Sequence, residues 1–387
     1  MIYKNNGNKD RVSYIFFIMV MFLFEPKIFV KYNTLNYIYI FGAICSFGFI
    51  LTKIFKNSSF RISRITFALI IYRTWVLLIT VINKGDILNV GYYSVVFVSL
   101  FLYGDYFAKN KKLYIYISML NKIFFIYLLI NIVLYLIYPN GLYHLTQMHF
   151  LGIRTRFTEY AITSILLVFL NYKINKEKRL YVIIQILVVI LNIILPKIST
   201  AITGLAVFVV GYLILQRFKN FDYRIFLILG ILLSVLVVFF GIQNIFSNMI
   251  MNVFSKDITF SGRTYIWNSS FNYIFDNNIL WGHGQPIDGN FVKLGNTLWQ
   301  SHNQLLQILY ENGLVGAIIF YYLIYLSLKK LNNDNGNKIN KLLAIIQFVY
   351  LIMMITEIYG YYISYYTVII ISYYCSFINV KDNYLLE

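Results

Sequence analysis

Long apolar runs follow one another along almost the whole chain, and Lys and Arg residues collect between the runs rather than within them. A run of roughly 17 to 25 apolar residues spans a bilayer as a helix, because only a helix satisfies its own backbone in lipid. Such runs lie at 12–30, 35–52, 62–82, 88–107, 113–138, 157–172, 180–195, 198–215, 223–245, 303–328, 342–357 and 361–379. This pattern predicts an all-α integral membrane protein of about twelve transmembrane helices, a single polytopic domain over 1–387.

Composition agrees with lipid as the solvent. Of 387 residues, 59% are hydrophobic and 12% charged, and the mean hydropathy is +0.68, beyond the range of ordinary soluble domains. Of the 36 Tyr and 34 Phe, the amphipathic Tyr suits bilayer interfaces, and abundant Ile, Asn, Lys, Tyr and Phe together also suggest an AT-rich genome. A net charge of +18 raises nucleic acid as a partner, but that needs the cations gathered on one face, so none is expected. Cys45 and Cys375 fall inside apolar runs, without disulfide or metal-ligand spacing. Lys4, Lys9 and Arg11 before the first run imitate a secretory leader, but no small-residue cleavage site follows, which predicts an uncleaved first span.

Cations on alternate connections set the topology. Lys53, Lys56, Arg61 and Arg64 follow the second run, Lys109, Lys111 and Lys112 the fourth, and Lys173, Lys176, Lys178 and Arg179 the sixth. The intervening connections carry far fewer, so the positive-inside rule puts both termini in the cytoplasm. Two connections are long, 139–156 and 246–302, and both fall on the outer side. They hold or border all four histidines, His144, His149, His283 and His302. Long loops are where function concentrates, so chemistry is expected there. The histidines lack accompanying carboxylate or cysteine spacing, and no metal is expected.

Within the second loop, Ile266, Trp267, Ser270, Phe271, Ile274 and Phe275 recur at helical spacing after Ser261-Gly262-Arg263. This predicts an amphipathic helix on the membrane surface, with Ser261 as its N-cap. Glycines at 282 and 284 then permit an irregular turn. His302 stands at the mouth of the tenth span, where a helix N-terminus favours anions.

His302-Asn303, nine residues, Gly313, two residues and Gly316 fit the pattern H-[NSQ]-x9-G-x2-[GTY]. Upstream, SGRTYIW followed by ILWGHG is similar to SGR-x-x-x-W…P-L-x-G-x-G, with Ile279-Leu280-Trp281 where Pro-Leu is common. Together they resemble the O-antigen ligase and Wzy-type polysaccharide polymerase superfamily over about 246–320. The resemblance implies a GT-C-like bundle with its large outer loop between spans nine and ten. It also implies a cofactor-free, metal-independent glycosyltransferase in a bacterial inner membrane. Its partners would be oligosaccharides on undecaprenyl diphosphate, membrane lipids and a chain-length regulator protein.

That chemistry suits these residues. A departing diphosphate needs cationic donors, and Arg263 is the first candidate, with an interfacial lipid anchor as the other reading. The acceptor hydroxyl must lose a proton, which an imidazole takes near neutral pH. His302 is the expected general base, supported by Asn303, although helix capping explains a histidine there too. Arg154 and Arg156, with Glu159 a turn later, form a second outer cluster for the diphosphate. Lys197 sits where relatives often carry Arg. Arg73, in the middle of the third span, either faces a cavity that receives diphosphate or pairs structurally with another helix. Lys122 is read as marking the point where the span proper begins. Trp281 and Trp299 suit both sugar stacking and the aromatic belt.

These features favour a repeat-unit polymerase of O-antigen or capsule. An O-antigen ligase using the same donor is the alternative. A polysaccharide transporter or flippase is the rival from another class, which the absence of duplicated halves in the sequence disfavours.

Overall fold

The computed structural model describes residues 6–56, 60–142, 147–242, 262–275, 278–334 and 336–378, and for 6–13 the backbone only. His144 and Ser261 lie outside these residues. The chain divides into two compact units, with the division inside one helix, between Ser94 and Val95. The first holds Met1–Ser63, Val95–Ile198 and Phe377–Glu387, and the second holds Arg64–Ser94 and Ser199–Ser376.

Each predicted run is occupied by a helix: α1 (Asn6–Met21), α2 (Asn33–Phe55), α3 (Arg64–Ile82), α4 (Ile87–Lys109), α5 (Leu113–Ile137), α6 (Arg154–Asn175), α7 (Arg179–Ile194), α8 (Ser199–Arg217), α9 (Arg224–Phe240), and, beyond the large loop, α11 (Gln304–Leu331), α12 (Lys338–Met353) and α13 (Ile363–Tyr373). Within the loop lies α10 (Arg263–Phe275). Six of them are long and apolar enough to cross a membrane: α2, α3, α4, α5, α8 and α11. Three shorter apolar helices, α7, α9 and α13, accompany them.

Two boundaries differ from the sequence expectation, and the large loop holds one element beyond it. The run at 12–30 does not stay helical: α1 stops at Met21, and Pro26 caps a separate 3₁₀ turn, Lys27–Lys31. Proline drives its predecessor out of the helical region. The run at 342–357 ends in helix at Met353, and the residues beyond it form turns that serve the site described below. The loop also contains a hairpin, β1 (Val292–Leu294) antiparallel to β2 (Thr297–Trp299), with Val292 opposite Trp299. Its two-residue Gly295-Asn296 turn, with φ 61° at Gly295, is a hairpin signal legible in the sequence.

In the first unit α5 packs on α1, α6 and α7. Polar pairs stitch α5 to α7: Asn131 Nδ2 donates to Asn192 Oδ1 at 2.9 Å, and Asn121 Nδ2 to Gln185 Oε1 at 3.4 Å. Such pairs hold helices together in lipid, where apolar contact alone gives little preference for protein over acyl chains. In the second unit α11 packs on α3, α9, α10 and α13, and α12 on α8, α9 and α13.

Candidate active site

The centre of the second unit is a broken helix. Gly313 inside α11 has φ 64° and ψ −171°, a conformation open essentially to glycine alone. A break inside a helix frees backbone groups that must find partners. His283 N donates to Tyr310 O at 2.7 Å, and Gly284 N to Glu311 O at 2.8 Å. Leu314 N and Val315 N donate in turn to the carbonyls of Ile279 and Leu280. The indole of Trp75 takes the Asn312 carbonyl at 2.9 Å. Thus the ILWGHG segment lies along the broken strand of α11 backbone, and the glycines permit the approach: a Cβ at Gly282 or Gly313 would collide with the other segment's backbone.

His302 precedes α11 in a left-handed conformation, φ 50°. Asn303 is the N-cap: its Oδ1 accepts from Leu306 N at 3.0 Å, while its Nδ2 donates to Ile355 O at 2.8 Å and Ser234 Oγ at 3.3 Å. Asn303 is fully buried, and these bonds tie the start of α11 to Ile355 and Ser234. Gln304 Oε1 accepts from Gly360 N at 2.6 Å. Through these bonds the irregular stretch after α12 is fastened to the mouth of α11.

That stretch delivers Glu357. One carboxylate oxygen lies 2.5 Å from Arg263 Nη2 and the other 3.6 Å from His302 Nδ1. Burial pushes the Glu357 carboxyl up, but the imidazole of His302 and the guanidinium of Arg263 outweigh it and hold the group below its ordinary range. Arg263 is the first residue of α10, which Ile266 anchors in a small core with Phe291 and Val292. The structure thus brings together Arg263 and His302, the two residues singled out for catalysis, through a carboxylate that the sequence reading assigned to the end of a span. An acidic residue closing an apolar run, three positions before Gly360, was the available signal.

A second polar chain also escaped sequence reasoning. Gln307 Nε2 donates to Gly289 O and Glu311 Oε1, both at 2.8 Å, and its Oε1 accepts from Ser301 N at 3.0 Å and Ser301 Oγ at 2.9 Å. Tyr361 OH donates to Glu311. Gln304, Gln307 and Glu311 share one helical face, a spacing visible in the sequence. Arg73, also in this unit, is buried, and its guanidinium donates to Ser94 Oγ at 3.1 Å and Val90 O at 3.2 Å.

The remaining expected cations belong to the first unit. Arg154 and Arg156 lie in the first turn of α6. Arg154 donates to Pro139 O at 3.2 Å and sits over the Tyr135 ring. Arg156 lies 4.0 Å from the buried Glu159. The Tyr135 hydroxyl donates to Leu195 O at 3.3 Å, in the turn that carries the exposed Lys197. Arg154 and the Lys197 turn therefore share Tyr135. His149 is buried against Tyr135 and Phe157, with ring centroids 5.0 and 5.4 Å away. Burial, and then the Arg154 charge, depress its pKa to about 4. His283 stacks on Tyr310 at 4.8 Å. Trp281 packs near Trp75, and Trp299 is partly exposed on β2. Among the described residues no three His, Cys, Asp or Glu side chains cluster as a metal site requires.

With the Arg263–Glu357–His302 cluster and the Gly313 break both in the second unit, the comparison with known families becomes specific. Residues 186–321 match the O-antigen ligase family model. The match bears out the resemblance carried by the SGR and HN…G…G segments. It spans Lys197, Arg263, His302, Asn303, Gln307 and Glu311, whereas Arg73, Arg154, Arg156 and Glu357 lie outside it. No curated protein and no solved structure matches the chain.

Proposed function

We propose that this chain is a membrane glycosyltransferase of the repeat-unit polymerase type. It moves a growing glycan from undecaprenyl diphosphate to a hydroxyl of the next lipid-linked repeat. The observation that carries the proposal is Glu357 holding Arg263 and His302 together, in a chain whose residues 186–321 match the O-antigen ligase family.

In this reading Glu357 faces Nδ1 of His302 and leaves Nε2 for the acceptor. Nε2 takes the hydroxyl proton as the oxygen bonds to the anomeric carbon. The bond from that carbon to the diphosphate oxygen breaks, and its electron pair leaves with the diphosphate. Arg263 neutralises the charge that builds there. The 3.6 Å separation of Nδ1 and carboxylate is longer than a hydrogen bond and closes when substrate fills the site, as catalytic contacts commonly do. The proposal includes about twelve spans, cytoplasmic termini, an outward-facing site and α10 on the membrane surface. It makes Arg154, Arg156 and Lys197 phosphate ligands of the first unit, and Arg73 a holder of α3 against the start of α4. The reaction on this reading uses neither metal nor cofactor.

A ligase uses the same donor and the same residues, so the second reading stands on the family match itself. Deleting the gene in its host separates the two: a polymerase mutant carries single repeats, and a ligase mutant accumulates long polymer on undecaprenyl diphosphate. Complementation with His302→Ala should fail to restore the polysaccharide ladder. Full-length polymer from that variant would overturn the catalytic assignment.

A further inference from the structure

A cleft in the first unit lies apart from every residue discussed so far except Lys122. Its volume is about 310 Å³, and Tyr14 and Phe17 of α1, Ile115, Ser118 and Lys122 of α5, and Asn175 at the end of α6 line it. That volume is at the lower end of small-molecule sites. Lys122 is exposed and Met119, which also lines the cleft, is buried, so the wall grades from polar to apolar.

The cleft fixes the depth of Lys122. Asn175 is the last residue of α6, followed by Lys176, Lys178 and Arg179. Sharing a cleft with Asn175 puts Lys122 at the charged end of the helices rather than at mid-membrane. α5 has 25 residues, about 37 Å at ~1.5 Å per residue, against a hydrocarbon core of roughly 30 Å; its first turn or so projects beyond the core, and Lys122, further in, reaches headgroup level with its long side chain directed back toward the helix N-terminus. The cations around this end, Lys109, Lys111, Lys112 and the 173–179 group, assign it to the cytoplasmic leaflet by the positive-inside rule.

We propose that this cleft binds one anionic phospholipid of the cytoplasmic leaflet. Its phosphate sits on Lys122 Nζ with Ser118 and Asn175 as hydrogen-bonding neighbours, and the start of an acyl chain lies against Phe17, Ile115 and Met119. Charge complementarity selects the occupant, since basic pockets between helices on this side recruit anionic headgroups. Glu177 lies within electrostatic range of Lys122 and tempers the positive charge. The cleft therefore suits a singly charged phosphodiester rather than a free phosphate monoester.

The test is native mass spectrometry of the full-length protein, delipidated in detergent and titrated with phosphatidylglycerol or with phosphatidylcholine of the same chains. The wild type should retain one phosphatidylglycerol with at least fivefold preference over phosphatidylcholine. Lys122→Ala should abolish the preference, while Lys178→Ala should keep it. Ser118→Trp fills the cleft without touching the charge and should also lose the bound lipid. Melting temperature and elution volume check that each variant is folded. Equal retention of both lipids by the wild type, undiminished binding by Lys122→Ala, or retention by Ser118→Trp would each overturn the site. Inorganic phosphate competing as well as the lipid would overturn the lipid as occupant.

Discussion

Arg263 and Glu357, 94 positions apart in sequence, meet at 2.5 Å, and the oxygen left over on Glu357 faces Nδ1 of His302 at 3.6 Å. One carboxylate thus sets both a cation and an imidazole. Glu357→Gln keeps the shape and inverts the hydrogen-bond logic. Its amide NH₂ donates to Nδ1, so the neutral ring carries its proton on Nε2 and cannot accept one from a hydroxyl. The transfer rate should fall by roughly 10²- to 10⁴-fold, nearly as far as in His302→Ala. Glu357→Asp should be milder. Elongation of a purified lipid-linked repeat is the measurement, and near wild-type turnover by Glu357→Gln would remove Glu357 from the mechanism.

The break at Gly313 makes a stability prediction. Gly313→Ala forces a side chain into a backbone conformation reserved for glycine and drives its Cβ into the Leu280 carbonyl. The cost should exceed ~3 kcal/mol, read as loss of folded protein in the membrane or a much lower melting temperature. Gly295→Ala, also at positive φ but with open space at its Cβ, should lose only ~1 kcal/mol.

Helix positions and the Arg263, His302 and Asn303 constellation were legible because they depend on local pattern: apolar period, cation placement, and a motif at short spacing. Asn303 shows the limit, since its spacing was visible but its role as a buried cap required seeing Ile355 and Ser234. Glu357 was not legible as a site residue. Its place in the site comes from contact with residues 55 and 94 positions earlier, and the turns at 354–362 join their own local bonds to bonds from Asn303 and Gln304 at the mouth of α11. Gly313 read as a motif position, but that the break is mended by residues 279–284 is a tertiary fact. Arg73 was open between a cavity and a helix pair, and only its bonds to Ser94 and Val90 show where its guanidinium is engaged.

His149 predicts an acid sensitivity away from the site. Its folded pKa is depressed to about 4 by burial and by Arg154, below an ordinary value of ~6.5. The unfolded chain therefore binds the proton first. The stabilisation is complete above pH ~6.5, declines as pH falls from there to about 4, and is constant below. Melting temperature should drop across that window, and His149→Phe, which keeps a ring between Tyr135 and Phe157, should flatten the drop. Glu357, also depressed, contributes in a different window: its stabilisation is present above the ordinary carboxylate range of ~4.3 and is lost as pH falls through its lower folded value. A decline between pH 6.5 and 4 that persists in His149→Phe would assign it to another group.

Gln307 predicts how His302 is held. Its carboxamide has a donor side, turned to Gly289 O and Glu311, and an acceptor side, turned to the Ser301 amide and hydroxyl. The residue so clamped immediately precedes His302, whose φ of 50° is uncommon for a non-glycine residue and requires support from its neighbours. Gln307→Leu should release Ser301, and misplacement by ~1 Å is enough to reduce turnover about 10²-fold with little change in KM. Gln307→Glu should also fail, because a carboxylate would face Gly289 O and Glu311. Combined with Glu311→Gln it should recover part of the loss, since the new amide at 311 donates to the new carboxylate at 307, while Gly289 O stays without its donor. Carbethoxylation of His302, followed by mass spectrometry with His283 as internal reference, reports the imidazole without relying on any assigned activity. Its rate should change at least threefold in Gln307→Leu and return toward wild type in the exchanged pair. An unchanged rate in a folded Gln307→Leu variant would show that the clamp stabilises the loop without orienting the base.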